Sequence, residues 1–343
     1  MKDNKLVVGY IGNGKSTNRY QLPFILQRPE KFIVKTIYAR NLEKKDWARI
    51  EGINYTNDLE GMLNDPEIDL VCVCTPVMHY EYTKMVLEHN KHCLCEKPFT
   101  NTYEQAKELF DLADSKGLYC SPYQNRRYDS DFLTAQKVIE SGVLGDILEV
   151  EMGYDYYRPE VPENYKQFNP YKSYLYGHAC HTLDQVISYW GKPDKVHYDV
   201  RQLLGEGRMN DYFDIDMYYG VTKVSVKSSY FRIKARPSFV VYGKKGMYEQ
   251  YYKDIQEDHL KMFYMPWDHQ DFGKAIPERY GTLTYYDDNG VYHEEKVVTV
   301  DGDYARVFDG IYDCIVNGQP QVIKHEHTLL QMEMLEKGIS SCK

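Results

Sequence analysis

Apolar and polar positions change period once along this chain, near residue 121. Before that point, apolar runs of strand length alternate with segments of helical period. Residues 6–11, 32–38, 69–73, 91–95 and 118–121 read as buried strands. Between them, 16–27, 58–64, 80–89 and 102–115 read as helices. Asn57 or Thr56 is expected to cap the helix at 58, and Asn101 with Glu104 has capping-box spacing at the head of the last one. Strand and helix in this order predict right-handed crossovers and a parallel sheet.

After Pro122 the helices thin out. A strand at 147–157 lies between helices at 132–141 and 176–190. Strands then follow without helices, at 196–203, 217–219, 224–231, 239–242, 247–251, 282–286 and 292–298. Asp287-Asp288-Asn289-Gly290 marks a hairpin, and Gly243-Lys244-Lys245-Gly246 another turn. Helices return at 304–316 and 326–337. The expected fold is α/β plus α+β. A parallel-sheet domain spans 1–121, and 122–343 carries a large, mostly antiparallel open sheet. The helices from about 303 are placed to pack back on the first domain. Too few helices follow residue 200 to cover both faces of the second sheet. An apolar face is therefore expected to meet a partner, giving a homodimer or a tetramer of dimers through strands between 196 and 298.

A length of 343 residues fits two domains, and 43% hydrophobic residues suffice for their cores. The 34 tyrosines suit strands and half-wet surfaces. A net charge of -9 argues against nucleic acid and against attraction to an anionic membrane. The apolar runs are far shorter than a membrane span, and Met1 to Lys5 leads into a strand with no signal-peptide core, so a cytoplasmic protein is expected. The eight cysteines are read as reduced thiols. Cys72 with Cys74, and Cys93 with Cys95, alternate along strands as small apolar fillers, and no metal site is expected.

Gly12-Asn13-Gly14 follows a strand and precedes a helix, the context in which such a turn holds a pyrophosphate. Lys15 and Ser16 stand at the helix N-terminus. Thr17 occupies the position of a third glycine, which serves packing. After the second strand comes Tyr38-Ala39-Arg40-Asn41, with no acid for a ribose hydroxyl. Arg40 suits a 2′-phosphate, so NADP is favoured over NAD; the alternative is a surface arginine with relaxed cofactor choice. Thr75-Pro76 closes a later strand, and His79 is expected to contact cofactor or to cap. Glu96-Lys97-Pro98 ends the next strand, and Lys97 there suits substrate or nicotinamide. The alternative is a solvated lysine paired with Glu96. Gln124-Asn125-Arg126-Arg127 opens the second domain. His178, His181 and Asp184 share a helix face, where Asp184 is placed to orient His181 for proton transfer. A core histidine is the alternative.

Taken together, these motifs resemble the glucose–fructose oxidoreductase / inositol dehydrogenase family, Gfo/Idh/MocA, from Leu6 to about Lys337. The stretches Ser121 to Asp129 and Asp155-Tyr156-Tyr157-Arg158-Pro159 are similar to a branch that includes NADP-dependent scyllo-inositol dehydrogenases. The resemblance implies a Rossmann domain and hydride transfer between nicotinamide and a hydroxyl or carbonyl of a sugar, polyol or inositol. It implies Lys97 and His181 as catalytic residues. Cofactor contacts are expected from Gly12, Asn13, Gly14, Lys15, Ser16, Arg40, Thr75, Pro76, His79, Glu96, Lys97 and Asn125. Substrate contacts are expected from Lys97, Arg126, Arg158, His178, His181 and Asp184. The chain departs from the family in two places. Gly177 stands where many members have an aspartate, and the segment from Thr75 to His79 is one residue short. A non-catalytic nicotinamide-binding regulator and a redox-assisted glycosidase are the alternative functions.

Overall fold

The computed structural model describes residues 1–43, 46–160, 173–205 and 210–342. It divides into two units. The first comprises Met1–Asn125, Glu257–Phe272 and Tyr304–Met332. Its sheet contains β1 (Leu6–Ile11), β2 (Phe32–Tyr38), β3 (Asn54–Thr56), β4 (Leu70–Val73), β5 (His92–Cys95) and β6 (Cys120–Pro122). Their order is β3-β2-β1-β4-β5-β6, and every pairing is parallel. The chain winds outward from β1 in both directions. The carboxyl ends of β1 and β4 therefore form the switch point at which such sheets bind ligands. All six residues of β1 are buried, as are all four of β4. The thiols of Cys72, Cys74, Cys93 and Cys95 lie within this core, and burial pushes their pKa values up.

The crossovers are α1 (Leu22–Ile25), α2 (Leu59–Leu63), α3 (His79–Glu88) and α4 (Tyr103–Lys116). The helix expected over 16–27 starts instead with a π turn, Ser16–Gln21. Asp58, rather than Asn57 or Thr56, caps α2 by accepting from the Gly61 amide. The cap of α4 is one residue later than expected. Thr102 accepts from Gln105 N at 3.2 Å, and Gln105 Oε1 accepts from Asn101 N at 3.1 Å. Gln105 supplies the same reciprocal bond expected of Glu104.

The second unit comprises Arg126–Gln256, Gly273–Asp303 and Glu333–Lys343. Its sheet contains β7 (Ile147–Gly153), β8 (Lys195–Arg201), β9 (Tyr212–Tyr219), β10 (Thr222–Ser229), β11 (Phe239–Gly243), β12 (Gly246–Gln250), β13 (Gly281–Tyr286) and β14 (Tyr292–Val297). The order is β14-β13-β12-β11-β7-β10-β9-β8. Only β7 and β10 pair in parallel among the described strands; the rest are antiparallel. Val150, Met152, Val224, Val226, Phe213, Ile215, Phe239 and Val241 are buried on one face, under α5 (Ser130–Glu140) and α6 (Cys180–Trp190). The opposite face is not the apolar surface that strand counting suggests. It carries Glu149–Lys223 at 2.5 Å and Glu151–Lys227 at 3.1 Å, with Asp214 3.7 Å from Lys227. Residues at alternate positions put these charges on the side away from α5 and α6. Three further helices are α7 (Gln256–Lys261), α8 (Arg306–Asn317) and α9 (His325–Ser340).

Candidate active site and family

The glycine turn is held from within. Gly12 has φ +113°, and a Cβ there would lie 2.4 Å from the Cys74 carbonyl oxygen. Only glycine fits, because the left-handed backbone and the close strand both exclude a side chain. Gly14 faces open space, with no atom within 4 Å of its would-be Cβ. Thr17 is buried and donates to Gly12 O at 2.6 Å. Asn18 donates to Asn13 Oδ1 at 2.7 Å and to Gly14 O at 3.0 Å. The π turn brings both side chains back to the loop, a geometry often found at binding sites.

This turn opens on a cleft of about 360 Å³. Its lining unites Gly12, Asn13, Gly14, Arg40, Thr75 and Pro76, six of the expected cofactor residues. Lys15 and Ser16 flank the turn without lining the cleft. The lining also includes Tyr82, which no local motif signals. Arg40 donates to Tyr82 Oη at 2.9 Å, and its guanidinium also lies 3.4 Å from Met78 Sδ. The Tyr82 hydrogen bond raises the Arg40 pKa further, so the cation is permanent. Asp46 is the carboxylate on the lining. The open space above Gly14 fits the diphosphate of a nicotinamide dinucleotide.

His79 joins the loop after β4, which lines the cleft, to the loop after β5, which does not. Its Nε2 lies 2.6 Å from Thr75 O and its Nδ1 lies 2.7 Å from Pro98 O. The ring nitrogens thus face backbone carbonyls on both sides, and the side chain does not cap α3. The cap position is Met78, which adopts φ +63° and closes the shortened segment. Glu96 is buried and accepts from Gln21 Nε2 at 2.8 Å. Its other oxygen accepts from Lys97 N at 3.3 Å. Lys97 is half-buried at the end of β5. Asn125 is buried and begins a 3₁₀ turn, Asn125–Tyr128.

In the second unit, α6 is preceded by a π turn, Leu175–Ala179, which carries Gly177 and His178. His178 packs among tyrosines, 4.3 Å from Tyr174 and 5.1 Å from Tyr156 between ring centroids. His181 is 7% exposed. Asp184 does not serve it as expected. Both Asp184 oxygens accept from Arg127 at 2.7 Å, a buried bidentate pair that locks the 3₁₀ turn to α6. Arg126 pairs with Asp129 at 3.3 Å and lies over Tyr154 at 5.2 Å. Arg158 lies over Tyr156 at 4.6 Å. No group of three or more His, Cys, Asp or Glu is clustered among the described residues, and no helix there is long and apolar enough to cross a membrane.

Comparison with known proteins matches both parts of the chain. Residues 6–124 match an oxidoreductase family with an NAD-binding Rossmann fold, and residues 132–249 match the GFO/IDH/MocA C-terminal domain. The uncharacterized oxidoreductase YhhX of Escherichia coli is 46% identical over 96% of this chain and 94% of its own. A crystal structure of a probable oxidoreductase yhhX has a TM-score of 0.92 at 44% identity, covering 98% of this chain and 97% of that one. The scyllo-inositol 2-dehydrogenase (NADP(+)) IolW of Bacillus subtilis is 31% identical over 100% of this chain and 95% of its own. With the glycine turn, the switch-point cleft and the open second sheet in place, these matches make the chain a member of the Gfo/Idh/MocA oxidoreductase family.

Proposed function

We propose that this protein is an NADP-preferring dehydrogenase or reductase that acts on a hydroxyl or carbonyl of a sugar, polyol or inositol. The observation that carries the reading is the cleft beyond β1 and β4, where the Gly12–Gly14 turn, Thr75-Pro76 and the Tyr82-bound Arg40 share one lining. Gly12, Asn13 and Gly14 hold the diphosphate, helped by Lys15 and Ser16, and Arg40 receives the 2′-phosphate. When bound, NADP supplies a hydride acceptor and NADPH a hydride donor. Lys97 stabilises negative charge on the substrate oxygen, and His181 accepts the hydroxyl proton during oxidation and returns it in reduction. Thr75, Pro76, Glu96 and Asn125 orient the nicotinamide end, and His79 holds the loops that carry Thr75 and Pro98. His178, Arg126 and Arg158 meet the substrate. Asp184 acts through Arg127 as a positioning residue. The working assembly is a homodimer or a tetramer of dimers, and the compartment is the cytoplasm.

The test is a panel of polyols, inositols and aldoses read by NADPH absorbance in both directions. Turnover of one of them with NADP supports the reading. A second reading, a nicotinamide-binding regulator without turnover, is favoured by Gly177, which lacks the carboxylate many relatives carry. Tight NADP binding with no turnover across the panel identifies that case.

A further inference from the structure

We propose that Asp254 is a positioning residue of this site: it caps α5 from a distance and fixes the turn that carries Arg126 and Arg127 against the helix of His181. This inference rests on the proposed reading, in which Arg126 and His181 meet the substrate. The first amides of a helix need acceptors, and an aspartate at the N-cap commonly supplies one. Asp129 occupies the N-cap of α5, yet its side chain makes no capping bond. The Ser130 amide donates instead at 2.7 Å to Oδ2 of Asp254, 124 residues further on, and the Phe132 amide donates to Asp131 Oδ1 at 3.1 Å. The carboxylate of Asp129 turns to Arg126, at 3.3 Å.

Asp254 is buried, and each of its oxygens accepts from a backbone amide. Oδ1 accepts from Gln256 N at 2.7 Å. The Gln256 carboxamide closes the corner, donating to Asp254 Oδ2 at 3.1 Å and to Tyr128 O at 3.4 Å. A Cβ on Gly302 would stand 2.6 Å from Asp254 Oδ2 and 2.7 Å from Tyr128 O, so glycine is required where the chain passes this corner. On its other side the same turn is fastened to α6. Gln185 donates to Arg126 O at 2.7 Å, and Asp184 accepts from Arg127 at 2.7 Å. His181 stands one turn earlier on α6. Asp254, the turn and the helix of His181 thus form one run of hydrogen bonds.

A buried cap that only stabilised α5 would need no link to the site. Here the bonds run to the residues on either side of Asp129 and onward to α6. A shift of about 1 Å in a catalytic or binding group, caused from far away, can cost about 10²-fold in rate. Acceptor count supplies a selective lesion. A carboxylate offers two acceptor oxygens and an amide side chain offers one. Asp254→Asn therefore keeps the volume but cannot serve both Ser130 N and Gln256 N. Gln256→Met keeps both of those bonds and removes the donor to Tyr128 O.

The experiment compares wild type with Asp254→Asn, Gln256→Met, their double variant and Leu283→Ala, all as the full chain. Leu283 is buried on β13, which holds none of the residues in this run, so its truncation lowers stability alone. Thermal midpoint, NADP affinity and amide hydrogen exchange are read on each, with kcat and KM on the best panel substrate well below the midpoints. Asp254→Asn and Gln256→Met should each lower kcat/KM about tenfold or more with NADP affinity kept, and the double variant should lose less than the product. In both, exchange should quicken at residues 126–134 and also along α6. Leu283→Ala should melt lower with wild-type kcat and KM. Wild-type kcat and KM in both turn variants, equal losses in Leu283→Ala, or faster exchange confined to α5 overturns the inference. If wild type turns over nothing on the panel, the dehydrogenase reading falls, and the spread of exchange into α6 decides the positioning by itself. If Asp254→Asn does not fold, Gln256→Met decides it.

Discussion

The Gln21 carboxamide donates to Oε1 of Glu96 at 2.8 Å, with both side chains buried. This bond ties the π turn behind Gly14 to the strand end that presents Lys97. Gln21→Met keeps the volume but strips the carboxylate of its side-chain donor. A buried acceptor left without its donor costs about 1–3 kcal/mol. The thermal midpoint should fall by a few degrees, and kcat should fall with it, both measurable on one preparation.

Arg40 reaches the cleft on the Tyr82 hydroxyl. Arg40→Ala should weaken NADP about tenfold or more, with NAD affinity kept, because charge-assisted bonds to phosphate are the strong ones. Tyr82→Phe should produce a smaller loss of the same selectivity, by freeing the guanidinium. Fluorescence titration of both cofactors checks the pair. Equal losses for NADP and NAD would remove the 2′-phosphate role.

Gly177 has no atom within 4 Å of a would-be Cβ, so the site has room for the aspartate seen in many relatives. Gly177→Asp should fold normally, because glycine is the costlier residue in a helix interior. The carboxylate would stand four residues before His181, one turn back. Turnover on the best polyol should rise, and a fall would show that this chain's proton path runs elsewhere.

Burial, and next the Asp254 charge, push the Asp131 carboxyl up to about 6. An unfolded aspartate titrates near 4. Between these values the folded protein holds a proton that the unfolded chain has lost, so this site's stabilisation is full below about pH 4 and is lost as pH rises through about 6. Asp131→Asn keeps an oxygen to accept from Phe132 N and removes the charge. The variant should melt above wild type at about pH 7.5, with the gap closing toward about pH 4. Paired melts across that range check the sign.

Much of this architecture is legible in local pattern. The apolar runs of β1, β2, β4 and β5 and the Asp287–Gly290 hairpin carry their own signals. So does the glycine turn, since its first position must be left-handed. The rest depends on partners far away in sequence. β3 is a three-residue strand with half-exposed side chains, so it leaves no apolar run. The two π turns have helical apolar spacing, and in the first the bonds from Thr17 and Asn18 run back to the glycine loop. Tyr82 and Gln21 look like ordinary helix residues until Arg40 and Glu96 arrive 42 and 75 residues away. The i, i+3 spacing of Asp184 to His181 suggests a pair, but the buried Arg127 is the stronger partner and takes both oxygens. Counting strands suggests an apolar open face, but the register sets Glu149 opposite Lys223 and Asp214 opposite Lys227.

The decisive measurement is NADP-linked turnover of Lys97→Ala beside wild type on the best substrate of the panel, with NADP affinity titrated on the same samples. Removing one group that stabilises the reacting oxygen should lower kcat about 10²–10⁴-fold and leave NADP binding largely intact, because the Gly12–Gly14 turn holds the cofactor. His181→Ala should fall in the same way, and the double variant should lose less than the product, since both groups serve one transition state. Near-wild-type turnover of Lys97→Ala would contradict the account.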